Sequence, residues 1–434
     1  MNIFLISLGC AKNRVDSEMV VGILEKNGNK LVDDPNDADI LMVNTCAFIE
    51  SARKEAIDTI LDLASYKTKE KKLVVLGCLP QRYKEEIISL LPEVDRFIRI
   101  DEYPHICDIF NSLLNSNFNG SISPLIKHTS TPNYMRYIKI SEGCLNRCAF
   151  CAIPLIRGNL KSRTIESIYD EVKLAVSEGA YEINLISQDT TRYGFDIYKK
   201  NSIVELLTKL CEIEGNFKIR LLYLYPDIVT DELIDFIKNH DKVMPYFDVP
   251  IQHSEDNLLK LMKRRGNKAY LLDLFSKIKR EIPHSVIRTT LIVGFPYETE
   301  ADIDNLIDFM DEVKFDRLGA FTYSPEEGTL GDTYPKDIHE TTKQARYERV
   351  MEKQQEISRS LMEQNVGKIL KDCFIIDYSE EDYMYVARNY MFAPDDIDGV
   401  IYIAAKKEHS LGDLVDVKIL DSSEYVLIGE EINE

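Results

Sequence analysis

The sequence predicts an α/β protein in three parts: an N-terminal doubly wound domain on a parallel sheet, a central six-unit βα barrel of partial TIM-like form, and a small C-terminal antiparallel β-barrel. Three observations predict it. Short apolar runs alternate with amphipathic stretches over most of the chain, which is the rhythm of parallel βα units. A turn-rich stretch from Asn117 to Asn133, with Gly120, Pro124 and Pro132, interrupts that rhythm once. A charge-dense stretch from His339 to Val366, free of Gly and Pro, then separates it from a run of short strand-like segments. At roughly 150 residues per domain, a chain of 434 residues holds three. Their limits are expected at 1–118, 130–362 and 364–434.

Taking the elements in order, Ile3 to Leu8, Ile40 to Val43 and Leu73 to Leu76 are buried-strand candidates, and helices are expected over Ser17 to Lys26 and Ala52 to Leu63. The barrel strands are expected at Tyr137 to Ile140, Glu182 to Ile186, Lys218 to Tyr223, Tyr246 to Val249, Val286 to Val293 and Arg317 to Thr322. One helix between them starts at Thr299, which forms a capping-box-like pair with Asp302 ahead of Ile303, Leu306, Ile307 and Met310. His339 to Val366 reads as one long surface helix ended by Gly367. Beyond it, Ile369 to Asp377, Tyr383 to Arg388, Val400 to Ala404, Leu414 to Ile419 and Tyr425 to Ile428 read as five short strands, enough for a small barrel.

Composition narrows the function classes. Apolar residues make up 44% and charged residues 29%, so the chain can bury real cores. With 53 basic against 73 acidic residues, the formal charge is −20, which excludes a broad cationic face and favours a small or cationic partner. No apolar run reaches the 18 residues of a membrane span. The run Ile3 to Leu8 lacks a preceding basic region, so a cytoplasmic protein is expected. Nine cysteines are too few for disulfide stapling at this size and point to metal binding or catalysis.

Six of the nine form two sets. Cys144, Cys148 and Cys151 make a C-x3-C-x2-C run just after the first barrel-strand candidate. Three thiolates on one loop can hold three irons of a cubane cluster and leave the fourth open. A zinc knuckle is the competing reading, but zinc needs a fourth Cys or His, and none follows within twenty residues. Buried structural cysteines are the other alternative. Cys10, Cys46 and Cys78 are far apart in sequence, yet each lies within three residues of the end of a parallel-strand candidate, the edge where such sheets bind ligands. Three independent core cysteines are the alternative there. Cys107, Cys211 and Cys373 share no such placement and read as packing residues. The seven histidines show no metal-binding spacing; His253, after the fourth barrel strand, reads as a structural or supporting group.

The C-x3-C-x2-C run at the first strand of a βα barrel resembles the radical S-adenosylmethionine (SAM) enzymes. That resemblance implies that the open iron chelates SAM and that one electron cleaves it to a 5′-deoxyadenosyl radical. With the N-terminal cysteine domain and the C-terminal barrel added, the chain resembles the methylthiotransferases end to end. Their three parts are an iron–sulfur N-domain, a radical SAM barrel and a TRAM module. SLGCAKNRVDSE from Ser7, VNTCAFIESA from Val43, ISQDTTRYG from Ile186, PIQHS from Pro250 and VGFPYETE from Val293 look like the ribosomal-protein branch. The tRNA-modifying branch has GQN where this chain has Ser187-Gln188-Asp189.

The resemblance implies two 4Fe-4S clusters, on Cys144, Cys148 and Cys151 and on Cys10, Cys46 and Cys78. It also implies methylthiolation of the β-carbon of an aspartate in the decoding-centre protein of the small ribosomal subunit, with methyl transfer to cluster-bound sulfur and radical C–H activation. An electron donor such as flavodoxin or ferredoxin and a monomeric state go with it. SAM contacts are expected from Phe150, Gln188, Asp189, Gln252 and Gly294, each of which has a packing or loop-capping alternative. Arg157 and Arg163 flank the cluster loop and can balance anionic sulfur or a substrate carboxylate, or form salt bridges.

Residues 364–434 hold six basic against sixteen acidic side chains, a net of −10, which repels tRNA and attracts a basic ribosomal protein. Acidity serving solubility alone is the bland reading. A tRNA methylthiotransferase and a non-catalytic two-cluster electron carrier are the competing functions, and a carrier would fill each iron's coordination with protein ligands.

Overall fold

A computed structural model describes residues 1–335, 338–395 and 397–432; the end of the expected 364–434 segment lies outside the described residues. The N-terminal sheet has five parallel strands: β1 (Asn2–Ser7), β2 (Lys30–Leu31), β3 (Ile40–Thr45), β4 (Lys72–Gly77) and β5 (Arg96–Arg99), in the order β2-β1-β3-β4-β5. This is a doubly wound order. β3 reads ILMVNT and is buried at every position, as a strand covered on both faces must be. β1, β3 and β4 are direct neighbours, paired Ile3 with Ile40 and Ile40 with Lys72, so their C-terminal ends lie side by side. Helix α1 (Ala11–Lys26) begins six residues before the expected start, because Cys10 itself is its N-cap. α2 covers Glu50–Ala64, and α3 (Cys78–Tyr83) starts at the cysteine that follows β4.

Six parallel strands form the open barrel: β6 (Met135–Lys139), β9 (Glu182–Ile186), β10 (Lys218–Leu221), β11 (Tyr246–Asp248), β12 (Val286–Val293) and β13 (Arg317–Thr322). They run as β6-β9-β10 and β11-β12-β13, joined by a parallel bridge between Ile219 and Val243. β10 ends before Tyr223, whose φ of +62° no strand can hold. A small hairpin, β7 (Ser141–Glu142) with β8 (Lys161–Ser162), brackets the cysteine loop. The expected capping box is present: Asp302 N–H donates to Thr299 Oγ1, and Thr299 N–H donates to the Asp302 carboxylate. The long helix spans Glu340–Glu363 and packs on β13.

The C-terminal barrel is closed, in the order β14-β15-β16-β18-β17, from β14 (Ile369–Ser379), β15 (Met384–Arg388), β16 (Val400–Ala404), β17 (Leu414–Ser422) and β18 (Val426–Glu431). Its pairings are antiparallel except β16 with β18, which run parallel. The loop after β15 docks against the inner face of the open barrel. There Arg220, fully buried, donates to Glu182 at 2.8 Å and to the Tyr390 and Phe392 carbonyls at 2.9 Å, while Arg388 donates to Glu182 at 2.7 Å. Among the described residues, no helix is long and apolar enough to cross a membrane.

Candidate active site

Both cysteine sets line one cavity of about 330 Å³. Cys10, Cys46 and Cys78 enter it from the adjacent ends of β1, β3 and β4; Cys144, Cys148 and Cys151 enter it from the loop after β6. Two glycines make the first convergence possible. Gly9 has φ +86°, and a Cβ there would sit 2.8 Å from the Cys46 Cβ; Gly77 has φ +101°, and a Cβ there would sit 2.2 Å from Asn44 Oδ1. Each therefore lets the cysteine after it close on its neighbours.

The polar frame is buried and specific. Asn13 donates from Nδ2 to the Leu8 and Thr45 carbonyls at 3.0 Å each, and Asn44 donates to the Asn13 carbonyl and to Ser17 Oγ at 2.8 Å. Arg157 donates from Nη2 to Asn13 Oδ1 at 2.6 Å and lies 3.5 Å from Cys78 Sγ; its Nη1 reaches Asp16 at 3.0 Å and Glu142 at 2.9 Å. Lys139 pairs with Asp16 and Glu142. In the other set, Cys148 Sγ lies 3.7 Å from both Tyr225 Oη and Arg264 Nη1, and Asn146 N–H points at Cys144 Sγ from 3.5 Å.

The thiols differ. Burial pushes the Cys78 thiol up to about 12 and the Cys144 thiol up to about 11, and it raises Cys46 and Cys151 as well. Cys10 is exposed to the cavity, but desolvation by the surrounding fold acts the same way on it. There the charges of Lys12 and Arg157 and the amides of Asn13 and Lys12 outweigh it, leaving the thiol below its ordinary value. Glu142 is held well below the carboxylate range: burial opposes this, but Lys139 and Arg157 outweigh it.

Of the expected SAM contacts, Phe150, Gln188 and Gln252 line the shared cavity. Gln188 Nε2 donates to Glu142 at 3.0 Å, and its buried Oε1 has no hydrogen-bond partner among the described residues. Gln252 has φ +75° and a backbone bridged to Leu291. Asp189 is placed behind the wall, where it accepts from Asn146 Nδ2 at 2.6 Å and Thr191 Oγ1 at 2.5 Å and so steadies the cysteine loop. Gly294 is also away from the cavity: its N–H donates to Glu298 at 2.7 Å, and a Cβ would meet Lys343 of the long helix at 2.3 Å. His253 is fully buried, and its Nδ1 accepts from the Ser254 and Glu255 amides. Arg163 binds Glu171 and the Lys139 carbonyl rather than the cavity.

Cys107, Cys211 and Cys373 lie apart from the cavity. A second, mostly apolar cavity of about 780 Å³ shares Phe48, Phe150, Pro250 and Gln252 with the first and opens between α2 and the ends of β12 and β13. Sequence reasoning missed Asn13, Asp16, Lys12, Glu142, Tyr225 and Arg264. Only Lys12, Asn13 and Asp16 carried a signal, as part of the run SLGCAKNRVDSE around Cys10.

Among the described residues, no three His, Cys, Asp or Glu side chains converge on a point that suits a single metal ion. The donor set fits clusters instead: two triads of free thiols face one cavity, with buried Arg157 and Lys12 beside one triad and Arg264 beside the other to offset thiolate charge.

Family models match three segments: "Uncharacterized protein family UPF0004" over residues 2–99, "Radical SAM superfamily" over 138–310 and "TRAM domain" over 366–432. A protein named ribosomal protein uS12 methylthiotransferase RimO from Clostridioides difficile is 43% identical, covering 100% of this chain and 99% of that one. The protein of that name from Alkaliphilus oremlandii is 44% identical with full coverage of both. Among solved structures, the radical SAM methyltransferase TsrM from Kitasatospora setae, with cobalamin and a [4Fe-4S] cluster bound, aligns with a TM-score of 0.57 at 14% identity, covering 76% of this chain and 77% of that one. That likeness concerns the fold.

Proposed function

This chain belongs to the RimO family of ribosomal protein uS12 methylthiotransferases, and from that premise we propose that it adds a methylthio group to the β-carbon of an aspartate of uS12. The chain is a radical SAM protein, and an iron–sulfur cluster and SAM are its cofactors. The finer assignment, in domains 1–118, 130–362 and 364–434, is two 4Fe-4S clusters, one on Cys144, Cys148 and Cys151 and one on Cys10, Cys46 and Cys78. The observation that carries it is the single cavity lined by all six thiols from two domains. When bound, the first cluster supplies SAM chelation and the electron that cleaves it, and the second supplies the sulfur.

The chain's own residues do the positioning. Arg264 stacks 3.9 Å over the Tyr225 ring and offers its guanidinium to Cys148, while Asp189 and Asn146 hold the loop that bears Cys144. Phe150 and Gln252, on the wall shared with the larger cavity, and Gln188, on the first cavity alone, offer an apolar face and amide groups to SAM. That larger cavity, about 780 Å³, has room for a side chain of the substrate. An aspartate C–H is not acidic enough for a side-chain base, which supports the radical route. A cytoplasmic location and a flavodoxin- or ferredoxin-like electron donor follow from the same reading.

Intact-mass measurement of uS12 from cells with and without this gene tests the function. The expected result is loss of one methylthio mass on deletion; an unchanged mass overturns the substrate.

A further inference from the structure

We propose that Arg157, together with Asn13, is a positioning residue that sets the electron affinity of the cluster on Cys10, Cys46 and Cys78 and fixes its register against the barrel's cysteine loop. The inference rests on the two-cluster reading above. Arg157 follows Cys151 by one short helix, Ile153–Ile156, so it is rooted in one cysteine set, yet its guanidinium lies against Cys78 of the other. The fork is oriented. Asp16 and Glu142 hold Nη1, which leaves Nη2 to face Asn13 Oδ1 and Cys78 Sγ. Asn13 passes the connection on, because its amide holds the peptides ahead of Cys10 and Cys46.

One buried guanidinium and one amide therefore touch all three loops of the N-terminal set. A plain interdomain bolt would need only the Asp16 contact; the reach to sulfur has a different consequence. A cationic donor 3.5 Å from a ligating sulfur, away from water, stabilises the reduced cluster, since hydrogen bonds to sulfur and local charge set such potentials.

The test uses the full chain, reconstituted anaerobically with iron and sulfide, carrying Cys144→Ala, Cys148→Ala and Cys151→Ala so that one cluster signal is read by electron paramagnetic resonance during a reductive titration. Adding Arg157→Gln should leave iron content unchanged and weaken the reduced state about tenfold, a midpoint about 59 mV more negative. Arg157→Lys keeps the charge and should recover at least half of that shift. Should Arg157→Gln fail to fold, Arg157→Met with Asp16→Asn removes the buried cation and one partner together and should show a smaller lowering, because the lost carboxylate acts in the opposite direction from farther away. An unmoved midpoint in the loaded variant overturns the role of Arg157. A triple-alanine chain that holds no iron overturns the two-cluster reading itself.

Discussion

At Gly77 the backbone lies in a region that only glycine occupies without strain, at φ +101° and ψ −144°, and the missing Cβ leaves room for the Asn44 side chain. Gly77→Ala is expected to cost about 1–3 kcal/mol through backbone strain alone, read as a lower denaturation midpoint, with Cys78 displaced. At the cysteines the outcomes separate by set. Cys148→Ala should abolish SAM cleavage to 5′-deoxyadenosine. Cys78→Ala should retain that cleavage, halve the iron content and lose transfer of sulfur to uS12. Equal loss of both activities in both variants would refute separate roles.

The residues of the two sets were legible because C-x3-C-x2-C is local and because Cys10, Cys46 and Cys78 each lie within three residues of the end of a strand-like run. Asp16, Glu142 and Arg157 were not legible as one network. They come from α1, the hairpin after β6 and the end of the cysteine loop, and meet only once two domains close on each other.

At the scale of elements, strands buried on both faces announce themselves as unbroken apolar runs, and β3 and β4 were read that way. The edge strands β2 and β5 were not: one has two residues, and the other has only Phe97 and Ile98 between two arginines. The start of α1 lies six residues before the expected Ser17, because its first turn carries the Cys10 motif. The parallel pairing of β16 with β18 depends on chain path, which local pattern does not encode.

The contact between β9, β10 and β15 gives a stability prediction. Burial disfavours the Glu182 carboxylate, but Arg388 and Arg220 outweigh it and hold the group below its ordinary value. A depressed carboxylate stabilises the fold above its unfolded titration range and loses that contribution as the pH falls through the folded value. Acid unfolding monitored by circular dichroism should therefore begin at higher pH in a Glu182→Gln variant than in the native chain. At neutral pH that variant should lose about 3–5 kcal/mol, because two buried guanidinium groups lose their counter-charge.

For the whole molecule the formal charge of −20, half of it beyond residue 363, acts on encounter rather than on fold. Association with uS12 should slow steeply as salt rises, since the screening length falls from about 10 Å at 0.1 M to about 3 Å at 1 M. Dissociation should change little. An association rate independent of salt, measured by surface binding at several ionic strengths, would remove the steering role. The three-part architecture was legible from rhythm and breaks in rhythm, but its closure was not. Glu326, on the loop after β13, accepts from Arg82 at 3.0 Å and from Arg53, both of the N-terminal domain, and nothing near any of the three in sequence announces the others.

The loop after β15 that fills the inner face of the open barrel also limits how this protein can be re-engineered. Because Arg220 and Glu182 complete their bonding with Arg388, Tyr390 and Phe392, the C-terminal barrel is a stopper as well as an appendage. Cutting the chain after the long helix would uncover a charged lumen. A chimera that borrows this module from a relative must therefore bring matched partners for Arg220 and Glu182, or the catalytic body will be left with an open floor.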